Sequence, residues 1–204
     1  MEATVLTPKG PRTMRGEEDG SGVVADAHAR YYEAIVRGNA FVVANQTGVT
    51  SQAGLSGTTP VLTLYNPAGS GVNGVVLWAG AFSIVAVAAG MMVWLAANTN
   101  IAAAAVTGTA TSAHRNLLLG NGKQPSLQPL LAATLPTAPV AIAMLGDVPG
   151  TIALNSQMPI QTFYREVAGG IILAPGSALS FQTSTASGTS GLLCEVAWEE
   201  VPIL

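Results

Sequence analysis

The stretch GGIILAPGSALSFQTSTASGTSGLLCEVAWEEVP, Gly169 to Pro202, decides the fold. Its aliphatic, aromatic and β-branched runs are cut by Gly, Pro and a Ser/Thr/Gly loop, which predicts three strands, about 170–173, 178–183 and 192–201. Pro175 and Gly176 suit the two central positions of a tight turn between the first two strands. In the last run the two-residue period puts Cys194, Val196 and Trp198 on a buried face and turns Glu195 and Glu199 outward. Glu199 and Glu200 read as strand-end charges that discourage edge pairing. They are not a catalytic carboxylate pair, because neighbours on a strand point to opposite faces and cannot flank one bond.

Working outward, the same punctuation recurs. AFVVANQ from Ala40, VLTLYNP from Val61, LQPLLAATLP from Leu127, APVAIAMLG from Ala138, TIALN from Thr151 and TFYREVA from Thr162 each end at, or are followed directly by, a polar residue, Pro or Gly. That rhythm predicts a β-sandwich or barrel. In VLTLYNP both alternating faces carry β-compatible side chains, which predicts a strand covered on both sides. The uncharged run Val75–Ala97 is long enough to span a membrane as a helix. Gly80 and Gly90 interrupt it, however, and its pieces VVLWA, FSIVAVAA and MMVWLAA have strand length. It also lacks flanking Lys or Arg anchors, so buried sheet is the favoured reading and a membrane-inserted protein the competing one. The tract IAAAAVTGTATS, Ile101–Ser112, is open between a short helix and a small-residue strand.

Charge divides the chain. Eleven of the nineteen charged residues lie at or before Arg37, and none falls between Arg37 and Arg115. The N-terminal part, with Pro8, Pro11, several Gly and the acidic run Glu17, Glu18 and Asp19, reads as an extended arm over 1–38, ahead of a β-sandwich domain over 39–204. Within the arm, 23–36 is compatible with a short helix or a first strand. Met1–Asp19 has no apolar core segment, which predicts no export by a secretory leader. Overall 49% of the residues are apolar and only 9% charged, against roughly a quarter charged in ordinary globular proteins. A surface with so little charge suits a subunit covered by partners.

Composition and motifs also narrow the chemistry. A net charge of −3 offers no basic patch for a phosphate backbone, so no nucleic-acid partner is expected. LGNGKQPS, Leu119–Ser126 in its surroundings, lacks the upstream Gly and the hydroxyl of a phosphate loop, having Leu117 and Gln124 there. No GxSxG elbow accompanies His28 or His114, one Cys and two separated His give no zinc spacing, and no calcium loop occurs. The expectation is therefore a non-enzyme without metal or cofactor. Trp78, Trp94, Trp198, Tyr31, Tyr32 and Phe163 could form a carbohydrate platform, but aromatics make up only 5% of the chain, so core or interface packing is the favoured reading. His114 and Arg115, which break the uncharged region, read as a solvent loop or a contact between subunits.

The closing pattern, a GGIIL strand, the turn APGS, the strand ALSF, a Ser/Thr/Gly loop and EVAWEEVP, resembles the C-terminus of small virion proteins of tailed bacteriophages. The resemblance implies a jelly-roll-like β-sandwich, a homotrimer set on the capsid exterior as a decoration or cement protein, bound to the major capsid protein and assembled in the host cytoplasm. It brings no catalytic residue. A tail, fibre or host-binding knob is the alternative within the virion.

Overall fold

The computed structural model describes residues 2–7, 10–15, 30–84, 87, 89–99, 104–150, 161–186 and 191–203. The chain divides into two compact units, Met1–Glu33 and Ala34–Leu204. In the first, β1 (Glu2–Thr7) pairs antiparallel with β2 (Gly10–Arg15), with Glu2 opposite Arg15 and Thr7 opposite Gly10. A short helix, α1 (Tyr32–Val36), spans the boundary.

The second unit is all-β, a sandwich of two antiparallel sheets. Its strands are β3 (Ala40–Ala44), β4 (Thr63–Asn66), β5 (Val72–Ser83), β6 (Met91–Asn98), β7 (Thr107–Ala110), β8 (Arg115–Asn116), β9 (Gln128–Thr134), β10 (Val140–Val148), β11 (Gln161–Glu166), β12 (Ile172–Leu173), β13 (Ser177–Thr183) and β14 (Leu192–Pro202). One sheet runs β11-β5-β14-β3-β8, with β12 also on β5; the other runs β10-β6-β13-β4-β9-β7. Within this unit eight of the eleven steps from strand to strand cross between the sheets, and the unit's first strand, β3, pairs with its last, β14. Strands β7, β8 and β9 form an excursion between β6 and β10 that lengthens one margin of each sheet.

Alternation builds the core. Cys194, Val196 and Trp198 on β14 meet Leu64, Val93, Leu95, Leu179 and Phe181 of the facing sheet in one apolar cluster. Trp198 stacks on Phe41 with ring centroids 5.8 Å apart. Each of these large side chains removes apolar area worth roughly 25 cal/mol per Å² from water. The strand Thr63–Asn66 is buried at all four positions, as its two-faced pattern predicts. Leu64 points into the main core, while Tyr65 joins Val106, Leu130, Ala133, Leu135 and Ala178 in a second cluster. Between β12 and β13, Ser177 N–H donates to the Ala174 carbonyl at 3.1 Å with Gly176 at φ 83°. This is the turn Pro175 and Gly176 were expected to make, and only a residue indifferent to positive φ fits the third position.

The apolar run Val75–Ala97 contributes β5 to one sheet and β6 to the other. No helix among the described residues is long and apolar enough to cross a membrane. Three expectations change. VVLWA and the start of FSIVAVAA belong to one strand, since Gly80 sits paired inside β5 rather than ending it. The GGIIL strand shrinks to Ile172–Leu173, because Gly169 and Gly170 form the preceding turn. Glu199 and Glu200 do not guard an edge, for β14 is held between β5 and β3. Glu200 is buried, and its Oε1 accepts hydrogen bonds from Ser126 N–H at 2.7 Å and Leu127 N–H at 2.9 Å. The TIALN segment lies outside the described residues.

Candidate assembly faces and a basic pocket

The outer face of the β11-β5-β14-β3-β8 sheet can be read row by row from its register. Glu166, Trp78, Ala197, Val42 and Arg115 lie side by side; the next row is Tyr164, Gly80, Glu195 and Ala44, followed by Thr162, Phe82 and Leu193. Trp78, Phe82, Val42, Ala44 and Leu193 are half-buried, and Tyr164 is 59% exposed. A carboxylate set among such groups loses hydration, so burial raises the pKa of Glu195 above the usual range. On the other side of the same strand, burial first and the charge of Glu195 second push the Cys194 thiol well above its ordinary value. That thiol is enclosed, and a deprotonated nucleophile is disfavoured there.

The other sheet covers much of its own outer face. Gln182 donates to the Ser56 carbonyl at 3.0 Å and accepts from Ser56 N–H at 3.2 Å, tying a loop over β13. The corner formed by β6 and β10 is different. Val140 is 65% exposed and Met144 58%, and Ile142 and Met92 are exposed beside them. Trp94 is half-buried opposite Met144, and with Ala141, Ile142 and Ala143 they line a shallow depression of about 320 Å³. β10 ends its sheet, so its outer rim of backbone groups has no strand partner among the described residues. Two irregularities in its pairing, at Ala141/Ala143 and Met144/Gly146, and the bond from Arg165 Nη1 to the Met144 carbonyl at 3.1 Å partly blunt that rim. Phe163 of β11 packs at Gly146, where a Cβ would fall on its ring.

A third feature is polar. His114, Arg115, Lys123, Ser112, Asn116, Asn121 and Gln124 surround a pocket of about 370 Å³ at the end of β8. His114 Nδ1 lies 3.1 Å from the Thr111 carbonyl and Nε2 lies 2.8 Å from Gln124 Oε1. Arg115 Nη1 donates to the carbonyls of Ser112 at 2.9 Å and His114 at 2.7 Å.

The six residues singled out in the sequence are therefore not one site. Trp78 and Trp94 occupy the outer faces of opposite sheets, Tyr31 and Tyr32 lie in the first unit, and His114 and Arg115 share the polar pocket. Sequence reasoning missed Lys123, which it placed only in a turn, and the edge residues Ile142 and Met144, whose alternation looks like any other half-buried strand. Among the described residues no group of three or more His, Cys, Asp or Glu is placed to hold a metal ion. Comparison with protein families, with characterised proteins and with solved structures gives no match.

Proposed function

We propose that the chain is a structural subunit of a tailed-phage virion, a decoration or cement protein that packs as a homotrimer on the capsid exterior and binds the major capsid protein. We read the order of its eight main strands, β3-β14-β5-β11 facing β4-β13-β6-β10, as a jelly roll. The observation that carries the reading is the open edge of the sandwich, where Val140, Ile142 and Met144 stand exposed beside Trp94 and Met92. An apolar edge strand left open invites pairing with other chains, and a subunit that is covered by neighbours turns that liability into an interface. A stable contact needs about 800 Å² from each partner, so this corner would form the centre of an interface rather than all of it.

Light scattering of the full chain in detergent-free buffer tests the assembly. Three times the 20.6 kDa chain mass supports the reading, and a monomer at tens of micromolar overturns it. Antibody labelling of virions decides the location, since signal spread over the head fits a decoration protein and signal at the tail fits a fibre or host-binding knob. That second reading is favoured by the polar pocket, a concave site of a kind that interface packing alone does not need.

A further inference from the structure

We propose that the pocket walled by His114, Arg115 and Lys123 is a binding site for an oxyanion, the carboxylate or phosphate group of a ligand. The second unit contains four Lys and Arg residues, Arg37, Arg115, Lys123 and Arg165, and two of them meet in this one pocket beside a histidine. No carboxylate of the described residues lines it. Among the described residues Arg115 bonds only backbone carbonyls, through Nη1, and Lys123 Nζ donates to Asn39 Oδ1 at 2.6 Å while lying 5.9 Å from the centre of the Phe41 ring. Neither cation is paired with an acidic group among the described residues. Two positive groups that line one pocket without a counter-charge favour an anion there, since an oxyanion between them is attracted to both.

The donors suit such a ligand. With Nη1 committed to the backbone, the Nε and Nη2 hydrogens of Arg115 remain as the parallel fork that grips two oxygens of one carboxylate or phosphate. Lys123 adds a point charge. His114 completes the wall, held there through both ring nitrogens, Nδ1 at the Thr111 carbonyl and Nε2 at Gln124 Oε1.

The walls are fixed in advance. Asn116 Nδ2 donates to the Gly38 carbonyl at 2.8 Å, Asn121 Oδ1 accepts from Lys123 N–H at 2.9 Å, and Glu200 anchors the exit of the loop through Ser126 and Leu127. A site ordered before binding loses less entropy when the ligand arrives.

Calorimetric titration of the full chain at low ionic strength tests the proposal, with inorganic phosphate and the peptide acetyl-Glu-Glu-Asp-amide as probes. The peptide repeats the acidic run Glu17–Asp19 of this chain. Saturable binding of phosphate identifies a small phosphorylated ligand as the source of the oxyanion, and binding of the peptide alone identifies a protein carboxylate. In either case Arg115→Gln and Lys123→Met should each weaken binding by about tenfold, and Arg115→Lys, which keeps the charge but loses the fork, should not restore it. Thermal melts confirm that each variant folds, and Lys123→Met carries the test if an Arg115 variant does not. No saturable binding of either probe at millimolar concentration, or unchanged affinity in the variants, overturns the proposal.

Discussion

Glu200 shows how far one side chain can depart from what its neighbours in sequence suggest. Its carboxylate accepts two backbone N–H bonds at Ser126 and Leu127, so Glu200→Ala leaves two amides without their acceptor and should cost about 1–3 kcal/mol, measured by chemical denaturation. Glu195, five residues back on β14 and on its outer face, behaves oppositely. Because burial raises its pKa, the folded protein holds that proton to higher pH than the unfolded chain does. The unfolding free energy therefore falls as pH rises from the ordinary carboxylate range through the raised value. Glu195→Gln should accordingly raise the melting temperature at neutral pH and have no such effect in acid, where the carboxyl is protonated in both states. Cys194, enclosed beneath it, should stay unreactive toward a thiol reagent until the protein unfolds.

At the scale of elements, β10 and β11 decide what the sandwich presents. Gly146 gives Phe163 the space to seal the gap between the sheets, so Gly146→Ala should destabilise the fold by about 1–3 kcal/mol through forced repacking. Ile142→Lys together with Met144→Lys should leave the circular dichroism and melting behaviour of the monomer fold intact while lowering the mass seen by light scattering. An unchanged oligomer in that double variant would move the interface elsewhere, to the outer face bearing Trp78, Phe82 and Tyr164. These elements were only partly legible in advance. The run VAIAMLG reads as a strand, yet nothing in its composition says that it is an edge, because edge and centre differ by what pairs beside them and not by local propensity.

For the molecule as a whole, the chain's own pattern determined a β-sandwich, a strand at most of the expected runs, the turn at Pro175 and Gly176, and the burial of Cys194, Val196 and Trp198 on one face. Those features follow from local periodicity and turn chemistry, which any short window of sequence carries. The tertiary structure alone decided that β14 lies inside its sheet, that Trp78 and Trp94 face away on opposite layers, and that Lys123 joins His114 and Arg115 in one pocket. It also made Glu200 a buried anchor for a loop more than seventy residues away in the chain. Each of these depends on strand order and long-range pairing, which bring together residues whose separation in sequence carries no record of their contact.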